Sequence, residues 1–130
     1  MTALQLLAIG AGGFAGAVAR QGLSQLIHRV LGAGFPYGTL GVNALGCFLL
    51  GVFVALAEEG RVASPHARPF LAIGLLGAFT TFSAFGLETL ELLREGAWPK
   101  AAANALGNVG LGLFAVWLGH ALLAGGRVSG

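Results

Sequence analysis

Four stretches of this chain are long enough and apolar enough to cross a bilayer, and they leave little over. A hydrocarbon core of roughly 30 Å takes about 20 mostly apolar residues in a helix. Such stretches lie at about residues 2–30, 37–57, 69–93 and 99–124. In lipid, a helix satisfies its own backbone hydrogen bonds, and few other structures can. The composition allows no other class. Of 130 residues, 56% are apolar and only 9% charged, against roughly 25% charged in soluble domains. The mean hydropathy is +0.84. The chain is therefore expected to be an all-α integral membrane protein, one four-helix transmembrane domain over residues 1–130. The N-terminus lacks the cationic lead of a secretory signal. Ala15-Gly16-Ala17 imitates a cleavage site, but Arg20 follows at once, which reads as retained helix.

The links are short. Gly32-Ala33-Gly34-Phe35-Pro36 is a turn, residues 58–69 are a polar link, and Arg94-Glu95-Gly96 closes the third stretch before Trp98-Pro99 opens the fourth. The tryptophan suits the headgroup region. With four spans, the N-terminus, second link and C-terminus share one side and carry Arg61, Arg68 and Arg127. The other side carries Arg29, Arg94 and Lys100. Orientation normally follows an excess of Lys and Arg on the cytoplasmic side, and here there is none. Either charge does not set the orientation, or the chain inserts both ways up and pairs head-to-tail with itself. Four helices pack their own centre, so a water path belongs between copies.

Ionisable and amide groups within spans are expensive. Arg20 follows Gly12 and Gly16 at four-residue steps, on a face where small residues admit another helix. It either snorkels to the headgroups or lines an aqueous entrance that draws in anions. The second stretch carries Thr39, Asn43 and Cys47 at the same step. The Asn43 amide either bonds a neighbouring helix or faces a conduction path. The fourth carries Asn104 and Asn108 on one face, a polar strip, with His120 near its end.

The third stretch is the oddest. Residues 77–88 read GAFTTFSAFGLE. The hydroxyls of Thr80, Thr81 and Ser83 can bond back to a helix backbone, and Phe79, Phe82 and Phe85 can be core or lipid-facing. Together with Gly74 and Gly77, however, they read as a break in the helix. At membrane depth, such backbone survives where protein buries it or a cavity runs beside it, and its freed carbonyls make a cation site. Glu88, Glu91 and Glu95 then share one face near the end of the span.

Several chemistries are excluded. There is no aspartate and hence no Ser-His-Asp triad, no phosphate-cradling GxxxxGK loop, and only one cysteine, Cys47. The seven cations are scattered over a net charge of +2, with no basic cluster for a nucleic acid. The chain is not expected to be an enzyme.

Three segments, in order and spacing, resemble the Fluc (CrcB) fluoride channels of microbial membranes: Gly12-Gly13-Phe14-Ala15-Gly16-Ala17-Val18-Ala19-Arg20; Pro36-Tyr37-Gly38-Thr39-Leu40-Gly41-Val42-Asn43 with Gly46, Phe48 and Gly51; and residues 74–85 with Glu88. The resemblance covers essentially the whole chain. It implies an antiparallel, dual-topology homodimer in the bacterial inner membrane, with helix 3 broken mid-span and two pores built from both subunits. It implies that Asn43 points its amide into the pore and that Phe82 and Phe85 offer ring edges to fluoride. Thr39, Ser83, Asn104 and Asn108 would complete the ion pathway, with Arg20 and Glu88 at the vestibule. The backbone carbonyls of Gly77 and Thr80 would hold a structural sodium ion at the dimer centre. The implied function is passive export of cytoplasmic fluoride, relieving its toxicity.

This sequence departs from the family at two places. Ala84 stands where a threonine is common, and Asn104 and Asn108 stand where a tyrosine and a serine are. A small proton-coupled multidrug transporter is the alternative, but it wants a carboxylate in the first helix, which carries Arg20 instead. A non-transporting assembly factor would leave the asparagine strips unexplained.

Overall fold

The computed structural model describes residues 1–124, so Arg127 lies outside the described residues. Four helices among them are long and apolar enough to cross a membrane: α1 (Ala3–Leu31), α2 (Tyr37–Glu58), α3 (Arg68–Arg94) and α4 (Trp98–Ala124).

Local chemistry sets the ends. Thr2 caps α1 reciprocally: its hydroxyl accepts from the Gln5 N–H at 3.1 Å, and the Gln5 side chain accepts from the Thr2 N–H at 2.9 Å. Gly32, at φ +83°, closes α1 with its N–H on the His28 carbonyl at 2.8 Å. Pro36 sets the start of α2, and Pro99 occupies the first turn of α4, where a missing N–H does no harm.

The helices pack in alternate pairs, α1 chiefly on α3 and α2 chiefly on α4. Glycine makes both contacts possible. A Cβ added at Gly12 would lie 2.2 Å from the Phe70 carbonyl oxygen, and one at Gly16 would lie 2.1 Å from that of Leu75. At the other seam, a Cβ at Gly51 would meet the Val116 oxygen at 2.1 Å, and one at Gly119 the Phe48 oxygen at 2.2 Å. Backbone thus rests on backbone, the packing that lipid-embedded helices use in place of a hydrophobic drive.

Little is buried within one chain. Val42, Ala55, Leu76, Phe79, Leu92, Ala101 and Ala115 form the apolar interior, while Phe14, Leu106 and Phe82 stand out from it. That outward surface needs lipid or another protein to cover it.

Neither α3 nor α4 is uniform. In α3, Arg68–Leu76 is wound as π-helix and Gly77–Phe79 as α-helix. Thr80 (φ −87°, ψ 155°) and Thr81 (φ −146°, ψ 118°) are extended, and Phe82–Arg94 is α-helix again. In α4, Gly107–Leu111 is π-wound. Such windings are rare and are frequently found at functional sites.

Candidate functional site

Two extended residues inside an apolar helix must find other partners for their backbone groups. Thr81 finds them in two ways. Its hydroxyl accepts from the Ala84 N–H at 3.1 Å, capping the helix that follows. Its peptide groups pair with the Asn43 amide on α2. The Thr81 N–H donates to Asn43 Oδ1 at 2.8 Å, and Asn43 Nδ2 donates to the Thr81 carbonyl at 3.1 Å. One side chain thereby does what a neighbouring strand would do.

The diversion has a consequence for α3. In an unbroken helix, the Thr81 N–H would bond the Gly77 carbonyl, and the Ala84 N–H that of Thr80. Here both donors are engaged elsewhere, and the Gly77 and Thr80 carbonyls lose those partners. They are hard, neutral oxygen donors, the kind that suits an alkali or alkaline-earth cation. No cluster of three His, Cys, Asp or Glu residues able to hold a metal occurs among the described residues.

From Asn43 the bonding continues into α4. Asn43 Nδ2 donates to Asn108 Oδ1 at 2.9 Å. Asn108 Nδ2 donates to the Asn104 backbone carbonyl at 2.9 Å and to its Oδ1 at 3.0 Å. Asn104 is completely buried and donates through Nδ2 to the Thr89 hydroxyl at 2.9 Å. Thr89 donates back to the Phe85 carbonyl at 2.8 Å.

Beside this chain of bonds runs a groove of about 220 Å³, lined by Asn43, Cys47, Thr80, Thr81, Phe82, Phe85, Asn108 and Val109. The Phe82 and Phe85 rings lie 5.4 Å apart between centroids and are tilted by 59°. Phe82 is 81% exposed and Ser83 is exposed beside it, its Oγ 3.4 Å from the Thr81 hydroxyl. The exposed Phe82 ring therefore borders an open, mostly apolar slot into which the Asn43 and Asn108 amides and the Thr80–Thr81 segment bring polar groups.

Toward the end of the span, Thr39 donates to Glu88 Oε1 at 2.6 Å, while Glu88 Oε2 is buried without a partner among the described residues. Glu88 joins Glu91, Glu95 and His28 around a second, partly open cavity of about 300 Å³, bordered by the α1–α2 turn. Arg20 is half-buried on α1, lines neither cavity and has no salt bridge among the described residues. His120 is occupied elsewhere, its Nε2 lying 2.7 Å from Glu58 Oε2.

The fold thus brings Asn43, Thr80, Phe82, Phe85 and Asn108 to one groove, with Asn104 behind its wall. Thr39 and Glu88 form a separate pair, Gly77 is exposed on α3, and Arg20 stands apart. Sequence reasoning missed Thr89. Its signal was a lone hydroxyl one turn beyond Phe85, set between Glu88 and Leu90. It also missed the pairing of Thr39 with Glu88, which no spacing within one helix reveals.

A family profile described as "CrcB-like protein, Camphor Resistance (CrcB)" matches residues 7–120. The chain is 49% identical over 124 residues to a Thermus thermophilus protein named "Fluoride-specific ion channel FluC", covering 95% of this chain and 97% of that one. It is 48% identical over 121 residues to the Opitutus terrae protein of the same name, covering 92% of each. A Shewanella baltica protein, also so named, is 49% identical over 118 residues, 91% of this chain and 94% of that one.

Proposed function

Because this chain belongs to the CrcB-like family, a family of multi-pass channels rather than enzymes, we propose that it is a passive, fluoride-selective ion channel. In this reading it lets cytoplasmic fluoride leave across the bacterial inner membrane and relieves its toxicity. Hydrofluoric acid enters neutral and ionises inside, so a leak for the anion protects the cell.

The observation that carries the proposal is the groove at membrane depth, where polar backbone and amides meet two tilted phenylalanines. Fluoride is small and strongly hydrated, so a pore must replace its water with donors. An aromatic ring is negative on its face and positive at its edge. Edges of Phe82 and Phe85, with the Ser83 and Thr81 hydroxyls, offer weak and repeated contacts, which let an ion enter and also leave. Both hydrogens of Asn43 Nδ2 are engaged, on Thr81 and Asn108. The amide meets the ion by exchanging one of these bonds, so binding stays shallow. Thr39 and Glu88 mark the wet mouth, and Arg20 supplies a distant positive potential that attracts without trapping.

The groove is open on one side, and irregular polar backbone does not face hydrocarbon. A second copy of the chain covers it in this reading. The balanced flanking cations fit copies inserted in opposite orientations, giving an antiparallel homodimer with two pores. The Gly77 and Thr80 carbonyls, relieved of their helical donors, are suited to a sodium ion shared between the copies. When bound, that ion supplies positive charge and a link between subunits.

The test is flux from liposomes containing the purified protein. Fluoride should leave and chloride should not, without coupled proton movement. Replacing sodium by a large organic cation should weaken both flux and dimer. Proton flux driven by a cationic drug would instead identify a multidrug transporter. No flux of any kind would reject a channel.

A further inference from the structure

Of the three asparagines at this site, two have evident work on the groove wall. Asn104 does not line it and has no exposed surface. We propose that Asn104, with Thr89, is a positioning residue for fluoride passage: the pair is a strut that fixes the phenylalanine-bearing turn of α3 against Asn43. This inference rests on the channel reading.

The direction of the bonds carries the argument. Thr81 N–H can only donate, so the end of Asn43 that meets it is oxygen. Asn43 then donates to Asn108. The Asn104 backbone carbonyl can only accept, so the end of Asn108 facing it is nitrogen. The Thr89 hydroxyl has spent its one hydrogen on the Phe85 carbonyl, so it accepts from Asn104. Along this path the links point one way, from Thr81 N–H through three amides and Thr89 to the Phe85 carbonyl, with Asn43 also donating back to the Thr81 carbonyl. Hydrogen bonds so aligned reinforce one another.

Both ends of this loop of bonds lie on the same piece of α3. It holds that helix at Thr81 and again at Thr89, and Phe82, Ser83 and Phe85 stand between. The donors are also accounted for. Asn43 and Asn108 have each engaged both amide hydrogens, and the one remaining on Asn104 is buried. Asn104 has nothing to give an ion in the groove. What it provides is the placement of the two rings relative to Asn43.

Thr89→Val tests this, because it keeps the shape and removes the hydroxyl. Flux is measured per assembled channel in liposomes, so that lost protein does not count as lost conduction. The strut predicts a fall in fluoride flux of about threefold or more, recovery in Thr89→Ser, and a lowered fluoride-to-chloride ratio. It also predicts that Thr89→Val adds nothing once Asn108→Ala has cut the chain, although Thr89 does not touch Asn108. Wild-type flux and selectivity in Thr89→Val, or strictly additive effects, would overturn the proposal and leave the channel reading intact. Wild-type protein that passes no fluoride would remove both. Should Thr89→Val fail to assemble, Asn104→Ala breaks the same link from the other side. Failure of both to assemble would also overturn the proposal, since the bonds would then serve the fold and not the ion.

Discussion

Replacing Asn43 by leucine separates the two things this side chain does. The branched four-atom skeleton is kept and all three hydrogen bonds are lost: Thr81 N–H to Oδ1, Nδ2 to the Thr81 carbonyl, and Nδ2 to Asn108 Oδ1. Hydrogen bonds between membrane helices average about 0.6 kcal/mol, so three of them amount to about 2 kcal/mol. One loss can be recovered locally. The Thr81 N–H is free to return to the Gly77 carbonyl, the partner a continuous helix would give it. The expected destabilisation is therefore about 1–2 kcal/mol, read from reversible unfolding of the reconstituted protein. Hydrogen exchange at the Thr81 amide should reveal the same switch, as should loss of any dependence of flux on sodium. Asn43→Asp is the comparison, since it keeps the acceptor for Thr81. It should keep the bond from the Thr81 N–H but set an oxygen against the Thr81 carbonyl and Asn108 Oδ1, and its negative charge should repel fluoride from the groove. If Asn43→Leu unfolds within about 0.5 kcal/mol of wild type and conducts normally, the side chain neither sustains the interruption nor serves the ion.

Phe82→Ile and Phe85→Ile should each lower fluoride flux while leaving assembly unchanged in size-exclusion chromatography, because the apolar bulk stays and the ring edge goes; normal flux in both would count against ring edges as ion contacts. Gly51→Ala should destabilise the chain by about 1–3 kcal/mol in a thermal melt, since its Cβ meets backbone oxygen at 2.1 Å and cannot be accommodated by a side-chain rotation. The gain in helix propensity returns at most about 1 kcal/mol of that. Gly22→Ala, with nothing within 4 Å in the chain, should show no such loss.

What the sequence revealed follows from which interactions are local. Four spans are legible because length and hydropathy are properties of one segment at a time. The close approach at Gly12 and Gly16 is legible because a four-residue step fixes a face. The faces holding Asn43 and Asn108 are legible for the same reason. That these two faces meet is not, since it depends on how each helix is rotated about its axis. The pairing of Asn43 with the Thr81 peptide, and of Thr39 with Glu88, arises only once those rotations are set. The π-wound turns at Arg68–Leu76 and Gly107–Leu111 leave no mark in composition.

The alternate packing of the helices bears on how the protein comes into being. Since α1 seats chiefly on α3 and α2 chiefly on α4, neither of these two seams joins consecutive spans. The notch at Gly51 stays vacant until the final segment has entered the bilayer, and the slot beside Phe82 lacks a wall until Asn108 arrives. A nascent chain halted after its third crossing would have a half-formed slot and an α2 still without its main partner, so the last insertion completes two packing surfaces at once.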